Sequence, residues 1–188
     1  MTDQLRADAI ELAYRDHADD VYRVAYAILR DPDGAMDLTQ DAFAQAFRRW
    51  EQYDANRPLR PWLHGIVSHL ALDALRRRRV RVKALDAIGR VQMVAPTVGP
   101  GSEEMVQRVL DRDLVEDALG GLKPDARAAL VLRHYYGYDY AEIGSFLRTS
   151  PGNVGSILSR AHKSLRERLA TSPSTAAADD DIARGAAR

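Results

Sequence analysis

Basic side chains concentrate in one short run of the sequence. Six of the eight residues from Arg76 to Lys83 (RRRRVRVK) are arginine or lysine, and none is acidic. Clustered charges of this kind neutralise phosphates, so the run has the composition of a segment that contacts a nucleic-acid backbone. The alternative is a solubilising helix end favoured by the helix dipole, although six charges in eight residues exceed what that role needs.

A second group of hydrogen-bonding side chains lies near the end of the sequence. The stretch TSPGNVGSILSRAHKSL (149–165) opens with an N-cap serine and then a proline at the first helical position. Arg160 and Lys163 lie on its later turns, where basic groups suit phosphates. Asn153 and Ser156 lie at its start, where asparagine can pair with adenine and serine can bond any base. Base reading at this helix start therefore depends on neutral side chains.

The preceding residues supply the other half of a helix-turn-helix. Asp139 can cap a helix whose third residue is Glu142, which is a capping box. LRTSP forms the tight turn, after which Ser150 and Pro151 begin the second helix. Its inward positions recur every three or four residues: Val154, Ile157 or Leu158, Ala161 and Leu165. This geometry presents a helix to the major groove, but an ordinary helical hairpin has the same layout.

The rest of the chain must position these groups, and its apolar periodicity is helical almost everywhere. We predict an all-α fold of two small domains joined by a flexible linker, the second being a four-helix domain with a helix-turn-helix. The predicted helices are 8–29, 32–51, 61–79, 110–120, 124–136, 139–147 and 151–169. The predicted core residues of the first three are Ile10, Tyr14, Val21, Val24, Ile28, Met36, Phe43, Phe47, Trp50, Leu63, Ile66, Val67, Leu70, Ala71 and Ala74.

Prolines and glycines in VAPTVGPGS (94–102) predict a linker between the domains. The boundaries that follow are a first domain over 8–83, a linker over 84–109, a second domain over 110–170 and a disordered tail over 171–188.

Composition excludes several classes of function. The 27 basic and 27 acidic residues cancel, but acidic residues concentrate in the first twenty positions and at 179–181. The chain has no cysteine, which excludes disulfides and thiolate zinc sites. His64 and His69 lack a third ligand at metal spacing, and neither a cofactor loop nor a nucleophile–base pair is present. Without an apolar span or leader, we expect a cytoplasmic protein that is not an enzyme and does not insert into membranes.

Two helix faces in the first domain are candidate binding surfaces. Asp37, Gln40, Asp41 and Ala44 share one side of the second helix, opposite its aromatic stripe. This face is either solvated or a docking surface for a basic partner. The third helix carries a polar strip before the basic run: His64, Ser68, His69, Asp73, Arg76 and Arg77.

Three segments in this order resemble extracytoplasmic-function (ECF) sigma factors, the smallest class of bacterial RNA polymerase sigma subunit. DPDGAMDLTQDAFAQAFRRW resembles the family's polymerase-docking segment, and RPLRPWLHGIVSHLALDALRRRR resembles its −10 segment. ALGGLKPDARAALVLRHYYGYDYAEIGSFLRTSPGNVGSILSRAHKSLRERL resembles its −35-binding domain. The resemblance covers about residues 8–170, and it implies a sigma factor that directs promoter recognition and DNA melting.

The resemblance also implies a role for each candidate residue. Docking on the β′ clamp helices of core RNA polymerase is implied for Asp37, Gln40, Asp41 and Ala44. Contact with −10 DNA is implied for Arg57, Arg60, Trp62, His64, Ser68, His69, Arg76, Arg77, Arg78 and Arg79. Contact with −35 DNA is implied for Tyr140, Arg148, Asn153, Ser156, Arg160 and Lys163. The further implied partners are the β flap of the polymerase and an anti-sigma protein.

Three positions depart from the family pattern. His69 stands where the family usually has asparagine, Gly155 where it has lysine and Ile157 where it has arginine. Gly155 and Ile157 remove positive charge from the start of the last helix, where DNA bases would be contacted. The loss of one such contact typically costs about 1–3 kcal/mol of binding free energy. We therefore expect weaker −35 contact or a different sequence preference.

Two other functions fit the residues. A helix-turn-helix regulator would bind duplex DNA without polymerase and would not need the acidic face. A sigma-like interaction protein whose DNA contacts have decayed would bind partners without directing transcription, and the uncharged start of the last helix favours it.

Overall fold

The structure, a computed structural model, describes residues 3–86 and 119–171. Every element in these ranges is helical, which confirms the predicted all-α fold. None of these helices is long and apolar enough to cross a membrane. Most of the predicted linker, most of the predicted helix 110–120 and nearly all of the predicted tail lie outside the described residues.

Three helices form the first domain: α1 (Asp3–Leu29), α2 (Pro32–Arg48) and α3 (Leu59–Asp86), with a 3-10 turn at Trp50–Gln52. Asp31 caps α2 as predicted, because its side chain accepts a hydrogen bond from the backbone N–H of Gly34. The core between the helices includes several predicted residues that are fully or almost fully buried: Val21, Val24, Ile28, Phe43, Leu63 and Val67.

Several predicted boundaries and core positions were wrong. The first helix begins five residues early, and α2 ends at Arg48 instead of continuing to 51. The third begins at Leu59, because its first turn tolerates Pro61, and it extends through 84–86 of the predicted linker. Met36 is 47% exposed, since the buried stripe of α2 runs through its neighbours Ala35, Leu38, Thr39, Ala42 and Ala46. Tyr14 is also exposed, with one ring edge against Phe43.

The second domain contains α4 (Pro124–Leu130), a π-helical turn (Val131–Tyr135), α5 (Tyr140–Leu147) and α6 (Pro151–Thr171). The π-helical turn interrupts what the sequence predicted as one regular helix over 124–136. Residues 119–120, at the end of the predicted helix 110–120, are helical. The chain then turns back through Tyr136 and Tyr138, which point toward the first domain.

Helices α5 and α6 form the predicted helix-turn-helix. The Asp139–Glu142 capping box begins α5, and the Ser150 hydroxyl accepts a hydrogen bond from the backbone N–H of Asn153 at the start of α6. Gly144 permits the tight turn, because a Cβ there would lie 2.8 Å from the carbonyl oxygen of Thr149. Between the two candidate inward positions of α6, Leu158 is the buried one.

The two domains pack directly on each other. Helix α1 contacts α4, and α3 contacts α5. Buried apolar residues of both domains form one continuous core. The side of α3 that carries polar residues therefore faces the second domain.

Candidate nucleic-acid interface

The acidic face of α2 is exposed as the sequence predicted. Asp37, Gln40, Asp41 and Ala44 are all exposed, on the side of the helix opposite its buried stripe. Met36 adds an exposed apolar side chain one turn before Gln40. The face therefore combines carboxylates, an amide and a thioether, which suits a partner that is basic and partly apolar.

The segment before and at the start of α3 presents arginines beside an aromatic cluster. The side chain of Arg57 is 81% exposed and lies 3.5 Å from the Asp54 carboxylate. Trp62 is half-buried against Trp50 and Tyr53, with ring centroids 6.2 Å and 5.1 Å away. Trp62 therefore takes part in packing and keeps some of its surface exposed.

Two members of the predicted polar strip on α3 are fully buried. We call His64, Ser68, His69 and Asp73 the α3 strip. His64 and Ser68 are 0% exposed, which corrects the expectation of a surface strip. The physical reason is the second domain: Nδ1 of His64 lies 3.0 Å from the Tyr138 hydroxyl, and Tyr136 packs edge-on against the imidazole ring.

Burial keeps His64 uncharged. Desolvation, with smaller repulsion from Arg60 and His17, lowers the pKa of His64 to about 3. Its Nε2 makes no hydrogen bond within the described part of the chain, and neither does the Ser68 hydroxyl. A buried polar atom without a partner disfavours the arrangement that buries it.

The remaining residues of the α3 strip contact the helix-turn-helix. Nε2 of His69 lies 3.0 Å from the backbone oxygen of Ser145. Asp73 accepts a hydrogen bond of 2.7 Å from Arg148, and this contact is the main cause of the lowered pKa of the Asp73 carboxyl. The structure thus brings together residues predicted for the −10 and −35 surfaces.

The other predicted basic contacts of the first domain divide between interface and solvent. Arg60 lies 3.8 Å from the Asp20 carboxylate and over the ring of Tyr136, so it borders the domain interface. The four arginines at the end of α3 are exposed beyond the interface: Arg76, Arg77, Arg78 and Arg79.

The start of α6 borders an open groove. The groove has a volume of about 770 Å³ and is lined by Gly152, Asn153, Gly155, Ser156, Ser159 and Arg160. Lys163 is exposed one turn further on, 3.9 Å from Glu167. Tyr140 is 42% exposed, and its ring edge would lie 3.4 Å from a Cβ at Gly155. Gly155 therefore places no charge at the groove, and the ring of Tyr140 lies beside it.

Sequence reasoning missed Arg127, which is 7% exposed. Its guanidinium donates hydrogen bonds to the carbonyl oxygens of Ala27 and Ile28 in the first domain and of Leu122 in the second, at 2.8, 2.8 and 2.6 Å. The available signal was a lone arginine within the apolar stretch ARAALVL. A charged residue at such a position requires a specific partner.

Comparisons with known proteins identify both domains. Residues 13–81 match the family described as sigma-70 region 2, and residues 112–165 match sigma-70 region 4. The ECF RNA polymerase sigma factor SigL of Mycobacterium tuberculosis is 31% identical over 81% of this chain and 84% of its own length. The chain belongs to the ECF sigma factor family.

Two further comparisons extend this result. The ECF sigma factor SigE of Mycolicibacterium smegmatis is 38% identical over 89% of this chain, which spans 64% of that relative's length. The sigma factor RpoE of Bartonella quintana, solved in complex with the anti-sigma factor NepR, shares the fold with a TM-score of 0.68. That comparison covers 86% of this ECF chain and 96% of the other, at 23% identity.

Proposed function

We propose that this protein binds core RNA polymerase as an alternative sigma factor and directs promoter recognition and DNA melting. The observation that carries the proposal is the presence, in one chain, of both sigma-70 regions together with an exposed acidic face and a helix-turn-helix. The protein supplies binding and specificity in transcription initiation, and it performs no chemistry of its own.

Each surface has its own role in the proposed function. The acidic face of α2 docks on the β′ clamp helices, and the second domain contacts the β flap. The Arg57–Trp62 segment, the α3 strip and Arg76–Arg79 engage −10 DNA, where an unstacked base needs a pocket and nearby positive charge. The start of α6 reads −35 DNA through Asn153 and Ser156.

The first domain, predicted over 8–83 and extended by α1 and α3 to 3–86, is proposed for polymerase docking and −10 contact. The second domain, over 110–170, is proposed for −35 contact, and the residues between them are proposed as the linker. We place the protein in the cytoplasm, where the polymerase is. An anti-sigma protein is a further partner, and the fold's occurrence in a sigma factor solved with an anti-sigma factor supports this.

Run-off transcription tests the proposal. Purified protein and core polymerase are incubated with promoter fragments in which both elements are randomised, and the transcribed templates are sequenced. We expect enrichment of two sequence elements. The Asp37→Ala/Asp41→Ala variant should lose core binding and transcription. The Asp16→Ala/Asp19→Ala variant, which removes equal charge from exposed positions of α1, should retain both.

Other outcomes would assign a different function. Duplex DNA binding that needs no polymerase and tolerates Asp37→Ala/Asp41→Ala would indicate a helix-turn-helix regulator. Polymerase binding without any transcript would indicate a sigma-like interaction protein.

A further inference from the structure

The interface between the two domains covers residues that the proposed function assigns to DNA. His64 lies beneath Tyr136 and Tyr138, and His69 and Asp73 contact Ser145 and Arg148. Single-stranded DNA and the second domain therefore compete for the same side of α3.

Arg127 holds the second domain against the end of α1. The last carbonyl groups of a helix have no partners within the helix, and a positive charge there is stabilised by the helix dipole. Arg127 satisfies two such groups, at Ala27 and Ile28, from a position about one hundred residues further along the chain. The contact is directional and charged, so it fixes where the second domain lies.

The polar contacts at the edge of the interface contribute little to holding the domains together. The ion pair between Asp73 and Arg148 is partly exposed, and such pairs contribute little. Arg23 and Tyr135 meet at an exposed edge, 2.9 Å apart. His64 loses hydration there, and its Nε2 makes no hydrogen bond to any residue in 3–86 or 119–171. These contacts add little to the apolar packing that joins the two domains, and the buried, unpaired Nε2 atom opposes that packing.

We infer that the free protein masks its own −10 surface: the second domain covers the α3 strip and must be displaced before that strip can bind single-stranded DNA. The inference rests on the proposed function for the identity of the DNA. The acidic face of α2 and the groove at α6 remain exposed in the masked state, so polymerase can dock before the domains separate.

A reversible covalent bridge tests the masking. The chain has no cysteine, so Arg23→Cys/Tyr135→Cys places the only two thiols at the exposed edge of the interface, outside every residue assigned to DNA or polymerase. A bis-methanethiosulfonate reagent links them, and dithiothreitol releases them. The two single-cysteine variants, treated identically, control for the modification itself.

The readout is binding of a fluorescein-labelled, random-sequence, single-stranded DNA pool, followed by anisotropy without polymerase. We expect efficient bridging, and binding about tenfold weaker in the bridged protein than after dithiothreitol, because only separated domains expose the strip. Inefficient bridging, or equal binding before and after reduction, would overturn the masking.

Transcription with core polymerase separates this inference from the proposed function. We expect the bridged protein to be inactive and the reduced protein active. If DNA binding responds to the bridge but neither form supports transcription, the masking stands and the proposed sigma activity is wrong.

Discussion

The α3 strip and the start of α6 both carry polar side chains that the proposed function assigns to DNA, but the two surfaces lie in opposite environments. On α3, His64 and Ser68 are fully buried, and the second domain contacts His69 and Asp73. On α6, the side chains of Asn153, Ser156 and Arg160 face an open groove, and each donates a hydrogen bond to the residue four positions earlier.

Polar residues on a helix face therefore do not make that face available for binding in both places. A strip that packs against a second domain becomes part of a core, and its use requires a conformational change. A groove on the outer side of the molecule needs none. On the proposed function, −35 contact and polymerase docking can precede domain separation, whereas −10 contact must follow it.

Arg127→Ala should have the largest effect on the domain interface, because it removes the charged contact that holds the two domains together. Three hydrogen bonds from a buried guanidinium are lost, and we expect the free energy of unfolding to fall by about 3 kcal/mol. Urea unfolding of the full chain measures the change. The remaining folded protein should have a larger radius of gyration by small-angle scattering.

Arg160→Ala is the matched control, since it removes an exposed arginine from α6. Its unfolding free energy should change by no more than about 0.5 kcal/mol. Equal stability of the two variants would show that Arg127 does not hold the domains.

Acid should expose the α3 strip while leaving the α6 groove unchanged. The masked state lowers the pKa of His64 to about 3, whereas separated domains restore it toward its ordinary value near 6.5. Masking is therefore at full strength above pH 6.5 and weakens as the pH falls below it. At pH 5 the loss amounts to about 2 kcal/mol. Small-angle scattering between pH 7.5 and 5 should show expansion.

The titratable and charged groups around His64 do not reverse this expected pH dependence. Arg60 and His17 repel a proton on His64, and burial raises the pKa of Tyr136 and Tyr138, so that both stay neutral across this range. His64→Gln should abolish most of the expansion. An expansion that persists in this variant would assign the pH response to other groups.

Arg160→Ala should weaken −35 contact without affecting masking. A phosphate contact contributes about 1 kcal/mol to DNA binding whatever the base sequence. Its removal should reduce by about 1 the slope of the logarithm of the binding constant against the logarithm of the salt concentration. Binding of the holoenzyme to duplex promoter fragments at several salt concentrations measures both. Asn153→Ala should instead relax sequence preference, because its amide is placed for base edges. Equal effects of the two changes on all sequences would contradict the separate roles.

Local signals predicted much of the fold. The caps at Asp31, Asp139 and Ser150 were readable because a cap and its partner lie three residues apart. The helix-turn-helix followed from its capping box and its inward spacing. Helix boundaries were predicted less accurately near proline, which usually interrupts a helix but is tolerated in its first turn. Pro61 in the first turn of α3 is an example.

The domain interface was not predictable in the same way. His64 and Tyr138 are 74 residues apart, and Arg127 is about one hundred residues from the carbonyls it contacts. Periodicity shows that His64 lies on a polar face but not what covers that face. The same limit applies to Met36, whose apolar side chain fits the helical stripe in sequence yet lies outside it in the structure.

The smallest expected effect concerns the pair at the edge of the interface, Asp73 and Arg148. Because both side chains are more than a third exposed, a double-mutant cycle with Asp73→Asn and Arg148→Gln should give a coupling of about 0.5 kcal/mol. The same cycle on Asp54 and Arg57, a pair within the first domain, controls for surface charge. Only the first cycle should change the fraction of masked protein, measured by the rate of bridging in the cysteine variant. A coupling of several kcal/mol at this edge would contradict an interface that opens readily, since the charged contact at Arg127 would then not be its main support.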